Sequence, residues 1–181
     1  IAQANREPGK ISYATSGQGS TGHLLMELLQ RSTGTTLTHI PYKGGAPALQ
    51  DVLGGIVPIT VIPQSGALQH VQSGKLKVLA VSSAHRSKDL PLVPTFEELG
   101  HKQLTVTSWV GLSAPKGTPP EIVSKLSAAV RASLAKPEVV AKIEAQGLTP
   151  MVSTPDQYSQ LVKGDTERWG QLTRSLKLKA N

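Results

Sequence analysis

The sequence predicts an α/β fold whose sheet is rich in parallel strands, and two observations carry that expectation. Short apolar or alternating runs, among them "KISYATS", "TLTHIPY" and "IVPITVI", take turns along the chain with segments of helical periodicity such as "HLLMELLQRSTG". Some runs, "LKVLAVSS" above all, are apolar almost throughout, as strands covered by helices on both faces are. Composition permits such a core: 181 residues at 38% hydrophobic content suffice for one large domain or two small lobes.

The elements follow in order. "IAQANREPGK" reads as the tail of a helix stopped by Pro8 and Gly9, and "KISYATS" as the first strand. After a glycine-rich turn, Leu24, Leu25, Leu28 and Leu29 share one face of a helix that Gly34 closes. "TLTHIPY" is the second strand, "GGAPALQDVLGG" a short helix with Pro47 in its first turn, and "IVPITVI" the third strand. "GALQHVQSGK" is a further helix and "LKVLAVSS" a fourth strand. Loop residues dominate from His85 to Gly100, and "QLTVTSWVGLSAP" then alternates as a long strand suited to cross between two lobes. Thr118 is placed to cap a helix with Pro119, Pro120 and Glu121 in its first turn, and with Ile122, Val123, Leu126, Ala129 and Val130 as its apolar stripe. "PEVVAKIEAQG" is a helix ending at Gly147, and "LTPMVS" a short strand. Thr154-Pro155-Asp156 opens a last helix that buries Tyr158, Leu161, Val162, Trp169 and Leu172.

Several function classes fall away on composition. No apolar run approaches the roughly 18 residues that span a bilayer, and no charged-then-apolar leader opens the chain, so an exported protein would already have lost its signal. The absence of cysteine excludes disulfides and thiolate chemistry without naming a compartment. A net charge of +7 invites nucleic acid, yet the cations are scattered and aromatics are only 3%, too few for base-stacking platforms. A basic surface that attracts anions is the better reading.

The motif that carries chemistry is "TSGQGSTGH", Thr15 to His23, a G-x-G-x-x-G between a strand and a helix. A helix N-terminus offers unpaired N–H groups and about half a positive charge, so it draws phosphate or carboxylate alike. Gly17, Gly19 and Gly22 let the backbone turn and approach a ligand, and Ser16, Ser20 and Thr21 add hydroxyls. A dinucleotide also needs an acid at the end of the next strand, roughly 20 residues on, for the ribose. That place reads His39-Ile40-Pro41-Tyr42-Lys43, so an NAD(P)-binding enzyme of Rossmann type is the lesser alternative, with Lys43 its one support. A small carboxylate is favoured, and a ligand-free capped turn stays open. His23 suits a cap or ligand donor better than a base. His39, His70, His85 and His101 lack metal-ligand spacing, and Glu97-Glu98 and Asp165-Glu167 read as solvated positions. Trp109 reads as core. No catalytic residue, metal or cofactor is assigned.

The stretch from Pro8 to Gly55, with "GKLKVLAVSSAHRSKDLPLVPTFEELG", "SWVGLSAPKGTP" and "TPDQYSQLVKGDTERWG", closely resembles the substrate-binding proteins of tripartite tricarboxylate transporters, the Bug or TctC family. The likeness covers essentially the whole chain. It implies a type II periplasmic-binding-protein-like architecture: residues 1–106 as the second, ligand-binding lobe with its parallel-rich sheet, and residues 107–181 as the crossing strand and helices that return to the first lobe. It further implies a non-catalytic periplasmic receptor that hands a small carboxylate to membrane permease subunits. Family members carry a preceding first-lobe segment, so the chain is expected to be a fragment whose C-terminal helices lack sheet partners, which implies a partner chain, a swapped or self-associated dimer, or a displaced C-terminal half. The implied ligand contacts are Thr15, Ser16, Gly17, Gly19, Ser20, Thr21, Gly22 and His23, with Tyr42 facing the cleft and Ile62 beyond the third strand. Amino-acid-binding members tend to carry an Asp-Asn-like pair where this chain has Ile62-Pro63-Gln64, which implies a ligand without a free amine.

Overall fold

A computed structural model describes residues 1–145 and 148–176. The chain divides into two compact units, the first made chiefly of Ile1–Ser108 and the second of Trp109–Ser175.

In the first unit, a short helix α1 (Ala2–Arg6) leads through the Pro8–Gly9 turn into strand β1 (Ser12–Thr15). Helix α2 (Thr21–Thr33) follows and ends at Gly34, which takes the left-handed conformation (φ 67°) that glycine adopts without a Cβ clash. Strand β2 (Thr38–Pro41), helix α3 (Gly45–Leu53), strand β3 (Ile59–Thr60) and helix α4 (Gln64–Gln72) complete the alternation. The strands form a parallel sheet in the order β2-β1-β3, with Tyr13 opposite both His39 and Ile59. Because side chains alternate along a strand, the sheet has two distinct faces. Ala14 meets Ala48 of α3 and Val57 in one cluster, with Ile40, Tyr42 and Val52 packed around it. Tyr13, Thr15 and His39 have the opposite parity and meet the buried start of α2, where His23, Leu24, Leu25 and Met26 lie. Beyond α2 packs a 3-10 turn, Lys102–Leu104, whose Leu104 is fully buried.

The expected fourth strand is not a strand. In "LKVLAVSS" the residues alternate between half-buried and exposed, Leu79 is 64% exposed, and the run's one β contact is an isolated bridge between Val81 and Thr95. An apolar run becomes a strand only when neighbours take up its backbone bonds in succession, and past Leu76 the backbone of this one bonds described residues only around Val81, to Pro94 and Phe96, and at Ser82, to Val106. "QLTVTSWVGLSAP" differs in the same way. Leu104 and Val106 are buried as the alternation requires, and the Val106 amide bonds the Ser82 carbonyl. From there no residue up to Pro115 joins a ladder, and Val110 is 92% exposed.

The second unit holds helices α5 (Pro120–Leu134), α6 (Pro137–Glu144) and α7 (Pro155–Ser175). Thr118 does not cap α5. Its hydroxyl donates to the Pro115 carbonyl, and the position before the helix belongs to Pro119, which has no capping side chain. The Gly147 end assigned to α6 lies outside the described residues, and "LTPMVS" runs without strand pairing from Leu148 on. At the start of α7, Thr154 and Gln157 form a reciprocal cap: Gln157 N–H donates to Thr154 Oγ1 and Thr154 N–H to Gln157 Oε1. Leu172 is buried, and Tyr158, Leu161 and Trp169 are half-buried. Trp109 Nε1–H donates to Asp165 at 2.6 Å, and the Tyr158 ring meets Trp109 edge-on while lying against Gly111, where a Cβ would not fit. Along α5 the predicted apolar stripe stands open, with Ile122 43% and Leu126 55% exposed. Among the described residues no helix is long and apolar enough to cross a membrane.

Candidate functional site

All three strands run the same way, so their carboxyl ends lie on one edge of the sheet, with the loops after β1, β2 and β3 beside one another. The chain leaves β1 toward β2 on one side and returns on the other as β3, and such a reversal opens a crevice at the strand ends, where ligands of open α/β sheets bind. Thr15 to His23 occupies that crevice. The loop after β2 is laced to it, Tyr42 N–H donating to the Thr15 carbonyl and Gly44 N–H to the Ser16 carbonyl. The exit of β3 closes the other side: a Cβ on Gly22 would come within 2.8 Å of the Val61 carbonyl oxygen. Glycine at 22 is therefore a requirement of close approach.

Within the loop, Gly17 (φ 141°) and Gly19 (φ 75°) take backbone conformations that side chains disfavour. Thr15 is fully buried; its hydroxyl donates to the Gly17 carbonyl at 3.1 Å and accepts the Gly17 N–H. With its one proton so used, Thr15 Oγ1 accepts from His39 Nε2 at 2.7 Å. Ser20 caps α2, its Oγ accepting the His23 N–H at 3.3 Å, which leaves the hydroxyl proton available to an anion. The Gly19 N–H donates to His23 Nδ1 at 3.0 Å. Among the described residues, the N–H groups of Thr21 and Gly22 have no hydrogen-bond partner in the chain, and they open the helix at its positive end. The arrangement offers an oxyanion hydrogen-bond donors at the positive end of α2.

Beneath the loop lies a network that reading along the chain misses. The His23 and His39 rings stack at 4.0 Å, and His39 stacks on Tyr13 at 4.9 Å. Tyr13 Oη and Gln30 Nε2 donate to Glu27 Oε1, which also lies 3.7 Å from His23 Nε2. Burial holds the His23 ring below the usual histidine range against the pull of Glu27; burial, and behind it the His23 ring, pushes His39 down to about 4. Burial and then Glu27 hold the Tyr13 hydroxyl far above the usual tyrosine range. Part of the signal was present, since His23, Glu27 and Gln30 recur at helical spacing on one face of α2, whereas the register that sets Tyr13 beside His39 comes only with strand pairing.

The other expected site residues are placed as follows. Ser16 is exposed and Gly17 half-buried at the loop's rim. The Tyr42 hydroxyl donates to Asp51 Oδ2 at 2.5 Å, and its ring packs on the Ala14 cluster, so this side chain is held toward α3. Its hydroxyl is raised above the usual range by that bond to Asp51. Ile62 is half-buried in the segment between β3 and α4, with Gly66 beside it. Glu98 is engaged by Arg86 and by the Thr95 N–H, and Glu97 pairs with Lys102. Among the described residues no cluster of three or more His, Asp or Glu could hold a metal ion.

At the end of β2 stands Pro41 followed by Tyr42 and Lys43, so the loop fits the anion half of the dinucleotide fingerprint and lacks the acid for the ribose. Comparison with known proteins gives the loop its context. The family model described as "Tripartite tricarboxylate transporter family receptor" matches residues 1–178. The chain is 40% identical over 174 residues to Protein BugT of Bordetella pertussis, covering 96% of this chain and 53% of that one. It superposes on the solved structure of R. palustris Rpa4515 with adipate at a TM-score of 0.87 and 34% identity, covering 96% of this chain and 58% of that one. For MatC of Rhodopseudomonas palustris with bound malate the TM-score is 0.78 and the identity 30%, over 94% of this chain and 59% of that one. The chain thus spans about half the length of BugT and of a second relative, the UPF0065 protein in the tcbD-tcbE intergenic region of Pseudomonas sp.. The α/β fold with its parallel sheet is shared with solved periplasmic binding proteins. A family match that runs through the glycine loop, both adjoining strand exits and the C-terminal helices leaves one conclusion: the chain belongs to the tripartite tricarboxylate transporter receptor family.

Proposed function

We propose that the chain serves in a periplasmic solute receptor that captures a small carboxylate and presents it to the membrane subunits of a tripartite transporter, without catalysis. The observation that carries this reading is the pair of unpartnered N–H groups at Thr21 and Gly22, set at the carboxyl edge of three parallel strands beside the free proton of Ser20. The family membership and the adipate and malate held by Rpa4515 and MatC support it. In this reading Thr15, Ser16, Gly17, Gly19, Ser20, Thr21, Gly22 and His23 form or support the carboxylate cradle, with Tyr42 and Ile62 on its walls. Residues 1–106 act as the ligand lobe, and 107–181 as the part that returns to the other lobe. Ile62-Pro63-Gln64 offers no carboxylate to an ammonium group, so plain mono- or dicarboxylates are preferred over amino acids.

A thermal-shift and calorimetric series tests this with adipate, malate, aspartate, glutamate and NAD(P). A ligand that binds only the folded chain raises its melting temperature with concentration. Adipate or malate is expected to do so; a response to aspartate or glutamate alone overturns the selectivity, and a response to NAD(P) alone overturns the receptor reading. Ser20→Ala is expected to weaken carboxylate binding by about 1–3 kcal/mol, the worth of a hydrogen bond to a charged oxygen. Unchanged affinity in that variant reduces the hydroxyl to a helix cap.

A further inference from the structure

We propose that His23 is a positioning residue: its Nδ1 holds the Gly19 N–H, and with it the glycine loop, in the shape that accepts an anion, and a proton arriving at Nδ1 releases that hold. The inference rests on the carboxylate reading for its consequence and on local geometry for its substance. The bonds that tie the loop down include Tyr42 N–H to the Thr15 carbonyl, Gly44 N–H to the Ser16 carbonyl, Ser20 N–H to the Gly17 carbonyl, the Thr15 hydroxyl with both polar groups of Gly17, His23 N–H to Ser20 Oγ, and, last, Gly19 N–H to His23 Nδ1 at 3.0 Å. The last of these ends on a titratable group.

A backbone N–H can donate only to an imidazole nitrogen that carries no proton, so the ring is neutral with its proton on Nε2. That proton faces Glu27 Oε1 at 3.7 Å, and Tyr13 and Gln30 fix the carboxylate in place. A carboxylate so set against one nitrogen selects the tautomer that leaves the other as an acceptor. Protonation would place two donors, Gly19 N–H and Nδ1–H, face to face across 3.0 Å with no acceptor between them, turning an attraction into a repulsion. Gly19 lies at φ 75° with no atom within 4 Å of where a Cβ would stand, so a change of backbone angle there meets no steric barrier from its own side chain.

The groups facing the ring decide when this happens. On α2 Glu27 favours the charged ring; on β2 His39, stacked at 4.0 Å, titrates lower and is still neutral when His23 takes its proton; on β1 Tyr13 stays neutral. The 3-10 turn packed on α2 presents buried Leu104, and its Lys102 is paired with Glu97; at the exit of β3 stands Val61. Burial is the largest influence and holds the ring neutral to below its usual pH range, with His39 deferring still further, to about 4. Loop and ring are therefore intact at neutral pH and uncoupled as pH falls below the ordinary histidine value of about 6.5.

Nuclear magnetic resonance on the ligand-free chain tests this directly. The Gly19 amide shift is expected to titrate with the same midpoint as the His23 ring, and Gly19 hydrogen exchange, corrected for its intrinsic pH dependence, to rise about tenfold across that transition, the change that corresponds to about 1.4 kcal/mol of opening. His23→Asn, whose Oδ1 sits where Nδ1 does and does not titrate, should keep Gly19 protected and abolish the pH dependence; His23→Leu should leave Gly19 exposed at every pH. A flat Gly19 shift while the His23 ring titrates, or an unchanged pH profile in His23→Asn, overturns the proposal. If His23→Leu fails to fold, the first two proteins decide alone. Calorimetry with adipate at pH 7.5 and at one pH unit below the His23 midpoint found by that titration extends the test: the ratio of the two affinities should be several-fold larger for the parent chain than for His23→Asn, adipate's own titration being common to both. An equal ratio counts against a role in binding. Absence of adipate binding at either pH counts against the receptor reading and leaves the amide titration to decide this one.

Discussion

At Gly22 two demands meet. The residue lies inside the first turn of α2, where alanine would favour the helix by about 1 kcal/mol, yet its Cα faces the Val61 carbonyl so closely that a Cβ would stand 2.8 Å from the oxygen. Backbone oxygen cannot swing aside as a side chain does, so the steric term wins. Gly22→Ala is expected to destabilise the chain by about 1–3 kcal/mol in chemical denaturation, as overpacking does. A neutral or stabilising result would show that the β3 exit moves freely away from α2. Gly17 and Gly22, which the motif marks from sequence alone, thus meet different constraints: a positive φ with the Tyr42 carbonyl 3.3 Å from its would-be Cβ at the first, and approach alone at the second. The loop's location and its glycines were legible along the chain because turn geometry is local. The stack of His23, His39 and Tyr13 was not, since it needs the register that sets Tyr13 beside His39.

Helices were the readable elements. α2, α3 and α7 fall where periodicity and terminal signals put them, and α5 where its periodicity does, because a helix satisfies its backbone within itself. Strands depend on neighbours that no local pattern reveals, which is why "LKVLAVSS" ends as an extended run with one bridge and why the alternation after Gln103 is obeyed at Leu104 and Val106 and abandoned at Val110. Caps divide similarly. Thr154 and Gln157 close the start of α7 reciprocally, whereas Thr118 turns to Pro115. Thr154→Ala should cost about 1 kcal/mol and speed hydrogen exchange at the amide of Gln157, whose acceptor it removes. Thr118→Ala leaves the N–H groups of α5 as they are; exchange in that helix's first turn should not change.

The second unit has an uncovered side. Ile122, Leu126 and Val130 line α5 with substantial exposure, and Leu148, Met151 and Val152 are exposed beside the chain's turn toward α7. Ile122, Leu126 and Val130 follow one another at helical spacing, and exposed apolar side chains along one helix face favour cover by another chain. Sedimentation is expected to show association that grows with protein concentration and weakens in Leu126→Lys. A monomer at all concentrations with a single cooperative melt would count against it.

The first strand in the sequence is the middle strand in space, and that has a kinetic consequence. Joining β1 to β2 closes the shorter stretch of chain, through α2; joining β1 to β3 must wait for α3 and closes a longer one, at a greater loss of chain entropy. β1, α2 and β2 are thus expected to form the folding nucleus of the first unit, with β3 docking later. Leu25→Ala should slow folding, and Val57→Ala should chiefly speed unfolding; the opposite pattern would place β3 in the nucleus. The glycine loop lies inside the earlier closure, so its anion cradle takes shape before the wall at Val61 arrives to hold it.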